Sequence, residues 1–381
     1  MVRATKSSAP RPLAHSSGDA YIADRVGPNY GGRPRMRNML ANQSGERTQC
    51  ERLVTGSAEA AGRLALIPDH FDGRRFFNPH VPRAKSLRAV HRWQRTRQKE
   101  PWPEHVEDAI FPPPERTEHD QIAATFIGHS TFLLQIKGVC VLTDPIWSER
   151  CSPVSVAGPR RVRRPGQSLE SLPSVDLLLV SHNHYDHMDL PTLRKIQARW
   201  SPRVATGLGN TRHLAKAGVR SAVELDWWQS TELAGARVTY VPAQHFSSRG
   251  LHDRNRSLWG GFVIEARGAV VYFAGDSGYC PHFTEIGRRF PRIDLALLPI
   301  GAYEPRWFTR RNHVDPQEAV QAHLDLKACR SLGMHFGTFQ LTDEAIDAPV
   351  LALRQAQATA GVSATDFDVL AFGETRQYPT V

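Results

Sequence analysis

Val175-Asp176-Leu177-Leu178-Leu179-Val180-Ser181-His182-Asn183-His184-Tyr185-Asp186-His187 is an apolar run that gives way abruptly to three imidazoles and a carboxylate. Pro173 bounds the run on one side and the polar cluster on the other, so it reads as a buried strand with the cluster on the loop at its end. Neutral imidazole nitrogen and carboxylate oxygen are the donors zinc takes when no thiolate is offered. Crowding several unpaired imidazoles is costly without a cation. The cluster is therefore read as a metal site rather than as polar loop histidines.

A tetrahedral or dinuclear site needs more ligands than one loop can direct at one point. Three further strand ends offer them. Arg237-Val238-Thr239-Tyr240-Val241-Pro242-Ala243 runs into Gln244-His245, Ala269-Val270-Val271-Tyr272-Phe273-Ala274 runs into Gly275-Asp276-Ser277-Gly278, and a weaker strand from Cys329 to Met334 ends at His335. Each alone is an ordinary loop residue; together, in this order, they form a pattern.

That pattern resembles the metallo-β-lactamase superfamily. Within it the chain is similar to the N-acyl-phosphatidylethanolamine-hydrolysing phospholipases D. The stretches that carry the likeness include Phe126-Ile127-Gly128-His129-Ser130-Thr131, Leu142-Thr143-Asp144-Pro145-Ile146, Gly158-Pro159-Arg160-Arg161 and Glu224-Leu225-Asp226-Trp227-Trp228. Phe273-Ala274-Gly275-Asp276-Ser277-Gly278-Tyr279 and Pro299-Ile300-Gly301-Ala302-Tyr303-Glu304-Pro305-Arg306-Trp307 complete it, so that it covers about Ile122 to about Arg376. The metal motif points to the superfamily, whereas the Trp-Trp and Gly-Ala-Tyr-Glu-Pro-Arg-Trp segments point to this branch.

The resemblance implies an α/β fold, a four-layer αββα sandwich with the metals at one edge between two sheets; periodicity alone gives only mixed α/β. It implies two zinc ions, one held by His182, His184 and His245, the other by Asp186, His187 and His335, with Asp276 bridging. All seven positions carry the expected residue type. Two such ions can share a water, lower its pKa towards ~7 and present a bridging hydroxide to the phosphorus of a diester. Tyr185 and His313 match positions that contact substrate, and Asp186 and His313 match positions with catalytic roles. At a helix entrance His313 can bond the phosphate or protonate a leaving oxygen. Ser181 and Ser277 flank the ligands without the Ser-His-acid arrangement of an acyl-enzyme and are read as structural, as is His129.

The chain of 381 residues is long enough for one large core with an appendage. Its 48 Lys and Arg stand against 38 Asp and Glu, but residues 1–99 hold 19 basic and 7 acidic side chains, which leaves 29 and 31 for the rest. The enzyme-like part is nearly neutral and the N-terminal part carries the charge. Three segments are expected: residues 1–45, basic and poor in apolar periodicity, disordered; residues 46–120, an extension packing on the core; and residues 121–381, the catalytic domain.

The basic segment suits phosphate-bearing surfaces, so a phospholipid substrate and peripheral membrane association are expected. Nucleic acid ranks below these because no binding module surrounds the arginines. The family includes dimers, which leaves a homodimer open. No apolar stretch approaches the ~20 residues of a spanning helix, and no apolar region follows the first basic residues as in a secretory signal. Five cysteines without C-x-x-C spacing fit a reducing compartment and a cytoplasmic location. Cys140 and Cys329 are read as core, and the run Arg160, Arg161, Arg163, Arg164 as a solvated face. The competing readings are another dizinc hydrolase, a lactonase or a nuclease, and a non-catalytic metal- or lipid-binding protein.

Overall fold

The computed structural model describes residues 69–81, 87–116, 121–250 and 252–380; the expected disordered segment 1–45 lies outside them. Fourteen strands are found there: β1 (Gln121–Gly128), β2 (Thr131–Ile136), β3 (Val139–Thr143), β4 (Leu177–Val180), β5 (Arg203–Gly207), β6 (Val223–Leu225), β7 (Ser230–Leu233), β8 (Ala236–Val241), β9 (Gly261–Ala266), β10 (Ala269–Phe273), β11 (Ile293–Pro299), β12 (Ala328–Met334), β13 (Phe367–Asp368) and β14 (Thr375–Pro379). The helices are α1 (Leu87–Thr96), α2 (Leu190–Trp200), α3 (Thr211–Leu214), α4 (His282–Arg289), α5 (Arg306–Thr309), α6 (Pro316–Leu326) and α7 (Ala348–Ala360).

The strands form two seven-stranded sheets, ordered β14-β1-β2-β3-β4-β5-β6 and β13-β12-β11-β10-β9-β8-β7. Each is antiparallel on one side and parallel on the other, the change falling at β3 in the first and β10 in the second. The halves thus share a pairing plan that no sequence motif repeats.

Why the central strands are apolar throughout follows from what covers them. In β4, Leu177 and Leu179 face the core between the sheets while Leu178 and Val180 face a second cluster under α2 and α3, with Leu193, Ile196 and Leu214. β2 splits the same way, Leu134 inward and Leu133 outward. A strand buried on both faces carries no polar alternation. Phe283 and Ile286 of α4, Ala319 and Val320 of α6 and Leu353 of α7 pack on the second sheet. The order of layers is therefore helix, sheet, sheet, helix, the expected αββα sandwich.

Residues 69–116 lie along this core. Val106 N–H donates to the Val162 carbonyl, Arg116 pairs with Asp176 at 2.7 Å, and Trp93 and Arg97 both donate to Asp343. Two readings are corrected. Cys329 is only partly buried. Arg161 is no solvated face: it is 6% exposed and its guanidinium satisfies the carbonyls of Ser148 and Ile146.

Candidate metal centre

Both sheets deliver ligands to one edge. The loop after β4 carries His182 to His187; the segments that follow β8, β10 and β12 carry His245, Asp276 and His335. Backbone shape matters at two glycines. Gly275 has φ +60° and a Cβ there would lie 2.8 Å from Ser181 Cβ, so only glycine lets this strand end turn Asp276 towards the loop. At Gly301 a Cβ would stand 2.2 Å from the His335 carbonyl oxygen, which explains a glycine beside the last ligand.

The donors converge in two groups, His182, His184, His245 and Asp276 in one, and His129, Asp186, His187 and His335 in the other. Asp276 Oδ2 stands between them, 3.2 Å from His187 Nε2 and from His335 Nε2, 3.7 Å from His245 Nε2 and 4.0 Å from His182 Nε2. Asp186 Oδ2 is 3.4 and 3.5 Å from the same nitrogens of His187 and His335. His184 turns Nδ1 inward, 2.9 Å from His182 Nε2 and 3.2 Å from His245 Nε2.

The far nitrogens show which face is free for a cation. His187 Nδ1–H donates to Asp144 Oδ2 at 2.7 Å, and His245 Nδ1–H donates to the Asn312 carbonyl at 2.9 Å. Ser181 Oγ gives its proton to Asp144, so it accepts from His182 Nδ1–H at 2.9 Å. Each of these rings is fixed in the tautomer whose Nε2 lone pair points inward, the outer-shell arrangement of metal-binding histidines. His187 Nε2, His335 Nε2 and Asp276 Oδ1 are buried without a hydrogen-bond partner. Buried polar atoms are almost always satisfied, so unpartnered atoms converging here fit cations of zinc's ligand preference.

Charge tells the same story. Burial is the largest single influence on His187 and His335 and disfavours their protonation, yet the Asp276 and Asp186 carboxylates, joined by Asp144 at His187, together outweigh it, raising His187 well above the ordinary range and His335 to about 9. Burial opposes ionisation of Asp276, but His187 and His335 hold its pKa well down. At His182, His245 and His184 burial prevails over the opposing charge of Asp276, depressing the first two and taking His184 to about 4. Without a cation, protons on imidazole balance the two acids; metal binding would displace them.

All seven expected ligands come together. His313 faces the same centre, its Nδ1 4.0 Å from Asp276 Oδ2 and its ring 5.1 Å from that of His245. Tyr185 is placed differently from a residue offering its hydroxyl inward: that group donates to the Arg249 carbonyl at 2.6 Å, and the Arg249 guanidinium stacks on its ring at 4.1 Å. The same guanidinium donates to the carbonyls of Asn183 and Met188, clamping the ligand loop.

Two residues given no site role belong to the centre. His129, at φ +57° in the β1–β2 turn, sets Nε2 3.0 Å from Asp186 Oδ2. Asp144, at the end of β3, orients both Ser181 and His187. A carboxylate at a strand end was the available signal for Asp144. Ser181 and Ser277 are structural, Ser277 Oγ accepting from Gln244 N–H. Cys280 bonds His282 rather than any ligand.

A family model described as the β-lactamase superfamily domain matches residues 140–336. The chain is 41% identical over 231 residues to N-acyl-phosphatidylethanolamine-hydrolyzing phospholipase D 1 of Caenorhabditis elegans, a match covering 57% of this chain and 64% of that one. It is 31% identical to a metal-dependent hydrolase of Nitratidesulfovibrio vulgaris, across 59% of this chain and 84% of the other. Among solved structures it is similar to Igni18, a metallo hydrolase from Ignicoccus hospitalis, with a TM-score of 0.51 and 23% identity over 68% of this chain and 98% of that one.

Proposed function

From the premise that the chain belongs to the metallo-β-lactamase superfamily and is a metal-dependent hydrolase, we propose that it is a dizinc phosphodiesterase of the phospholipase D type, converting N-acyl-phosphatidylethanolamine to N-acylethanolamine and phosphatidic acid. The observation that carries this reading is the pair of ligand groups meeting at Asp276. The likeness to a phospholipase of that reaction supports the choice of substrate.

His182, His184 and His245 would hold one ion and Asp186, His187 and His335 the other, with Asp276 shared. When bound, the ions supply Lewis acidity towards phosphoryl oxygens and an acidified water. The chain's own part is orientation. Asp144 and Ser181 fix the rings of His187 and His182, and His129 steadies Asp186. His313, 16% exposed at its side chain, would bond a substrate oxygen or protonate the leaving alkoxide. The half-exposed Trp307 would offer an apolar surface to a lipid. No described helix is long and apolar enough to cross a membrane.

The test is incubation of zinc-loaded protein with N-acyl-phosphatidylethanolamine vesicles, reading both products by mass spectrometry beside Asp276→Asn. Release by the native protein alone is expected, with the variant losing metal as well as turnover. Full zinc and unchanged turnover in the variant would sink the bridging role. A metal-replete native protein that releases nothing would redirect the substrate to lactones or other phosphodiesters.

A further inference from the structure

Outside the metal centre, four guanidinium groups line one cavity of about 660 Å³: Arg74 and Arg75 from the turn before Phe76, Arg212 at the start of α3, and Arg256 from the loop after His245. Among the described residues none of the four forms an ion pair. Like charges gathered in one concavity repel one another, and a protein commonly relieves this with carboxylates. Here the single carboxylate in the lining, Asp72, accepts the backbone N–H groups of Arg74 and Arg75 at 2.8 and 2.7 Å and offsets only one of the four positive charges. Asp253, near Arg212, accepts the N–H groups of Arg249 and Gly250 at 3.0 and 2.8 Å and lies outside the lining.

A fifth arginine, Arg254, feels the charge of Arg75 but lies outside the cavity lining. Arg254 lies 4.5 Å above the ring of Phe246, and that ring lies 4.4 Å from His184. Burial and the neighbouring Arg75 charge both disfavour its protonated form, and its Nε is buried without a partner. The two walls are joined by the hydrogen bond from Phe76 N–H to the Asn255 carbonyl at 2.8 Å, so the arrangement is a built feature of the fold.

We infer that this cavity is an anion site for the phosphate group of a ligand, separate from the metal centre. Guanidinium forks match phosphate oxygens in geometry and charge. Such a site would hold either a free phosphate or the headgroup of an anionic lipid. It is independent of the reaction proposed above, because the residues involved are not metal ligands and the readout is binding.

The experiment uses the zinc-loaded full chain, the double variant Arg75→Gln/Arg256→Gln, and a control, Arg237→Gln/Arg267→Gln, which removes the same charge elsewhere. Inorganic phosphate binding is followed by titration calorimetry, and flotation with phosphatidylcholine vesicles containing phosphatidic acid forms the second arm. The cavity variant should bind about tenfold or more weakly than native protein and control, while its zinc content and circular dichroism stay unchanged. Loss in the phosphate arm assigns a free phosphate, and loss in the vesicle arm alone assigns a lipid headgroup. Equal binding by the three proteins, or equal loss in the cavity variant and the control, would overturn the site.

Discussion

Asp144 reaches the metal centre without touching a metal position, through His187 and Ser181. Its replacement by Asn keeps shape but removes a charged acceptor, so zinc affinity and turnover should fall by about 10–100-fold. Competition with a chromophoric chelator would measure the affinity, and an unchanged zinc constant would deny Asp144 this role. The contrast with the seven ligands explains what the sequence makes legible. Four ligands sit within six residues, where the spacing itself is chemical information. His245, Asp276 and His335 were found because each ends an apolar strand. Asp144 and His129 act from 43 and 57 residues upstream of the groups they orient. Their rings and carboxylates are aimed by sheet pairing, which spacing does not encode.

At the scale of elements, α6 shows how a local signal positions a functional group. Asp315 accepts from Glu318 N–H while Glu318 reaches back to the Asp315 N–H, a complete capping box with Pro316 in the first turn. Asp315 also pairs with Arg306 at 3.1 Å, and Arg306 donates to the His313 carbonyl. Asp315→Ala should therefore cost about 1 kcal/mol of stability, read from urea midpoints, and should lower kcat through His313 while leaving zinc content intact. The strands before His182, His245, Asp276 and His335 were readable because their apolar runs are written locally. The strands β5, β6, β7, β13 and β14 were not. β7, for instance, reads Ser-Thr-Glu-Leu with no fully buried position, and its place is fixed by pairing with β8 rather than by its own composition.

For the whole molecule, stability should depend on pH through histidines buried in the neutral form. Burial lowers His282 to about 3 and His213 to about 4 from an ordinary 6.5. As pH falls below 6.5 the unfolded chain takes up these protons while the folded one does not. Their contribution is thus complete above pH 6.5 and is lost progressively towards pH 3–4. For His282 the loss by pH 5 is on the order of 2 kcal/mol. Urea unfolding of native protein and His282→Gln at pH 7.5 and 5.0 would test this: the native midpoint should fall more steeply. Equal slopes would show that His282 does not carry the effect.

The provenance of the ligands has one more consequence, for biogenesis. His182 to His187 arrive with the first half of the chain, whereas His245, Asp276 and His335 arrive only as the second sheet is completed, strand by strand. A nascent chain therefore holds an incomplete coordination set until its last ligand-bearing strand has docked. On the proposed two-ion centre, stoichiometric loading would then certify that both halves have assembled, so that metal content would serve as an assay of conformational maturity.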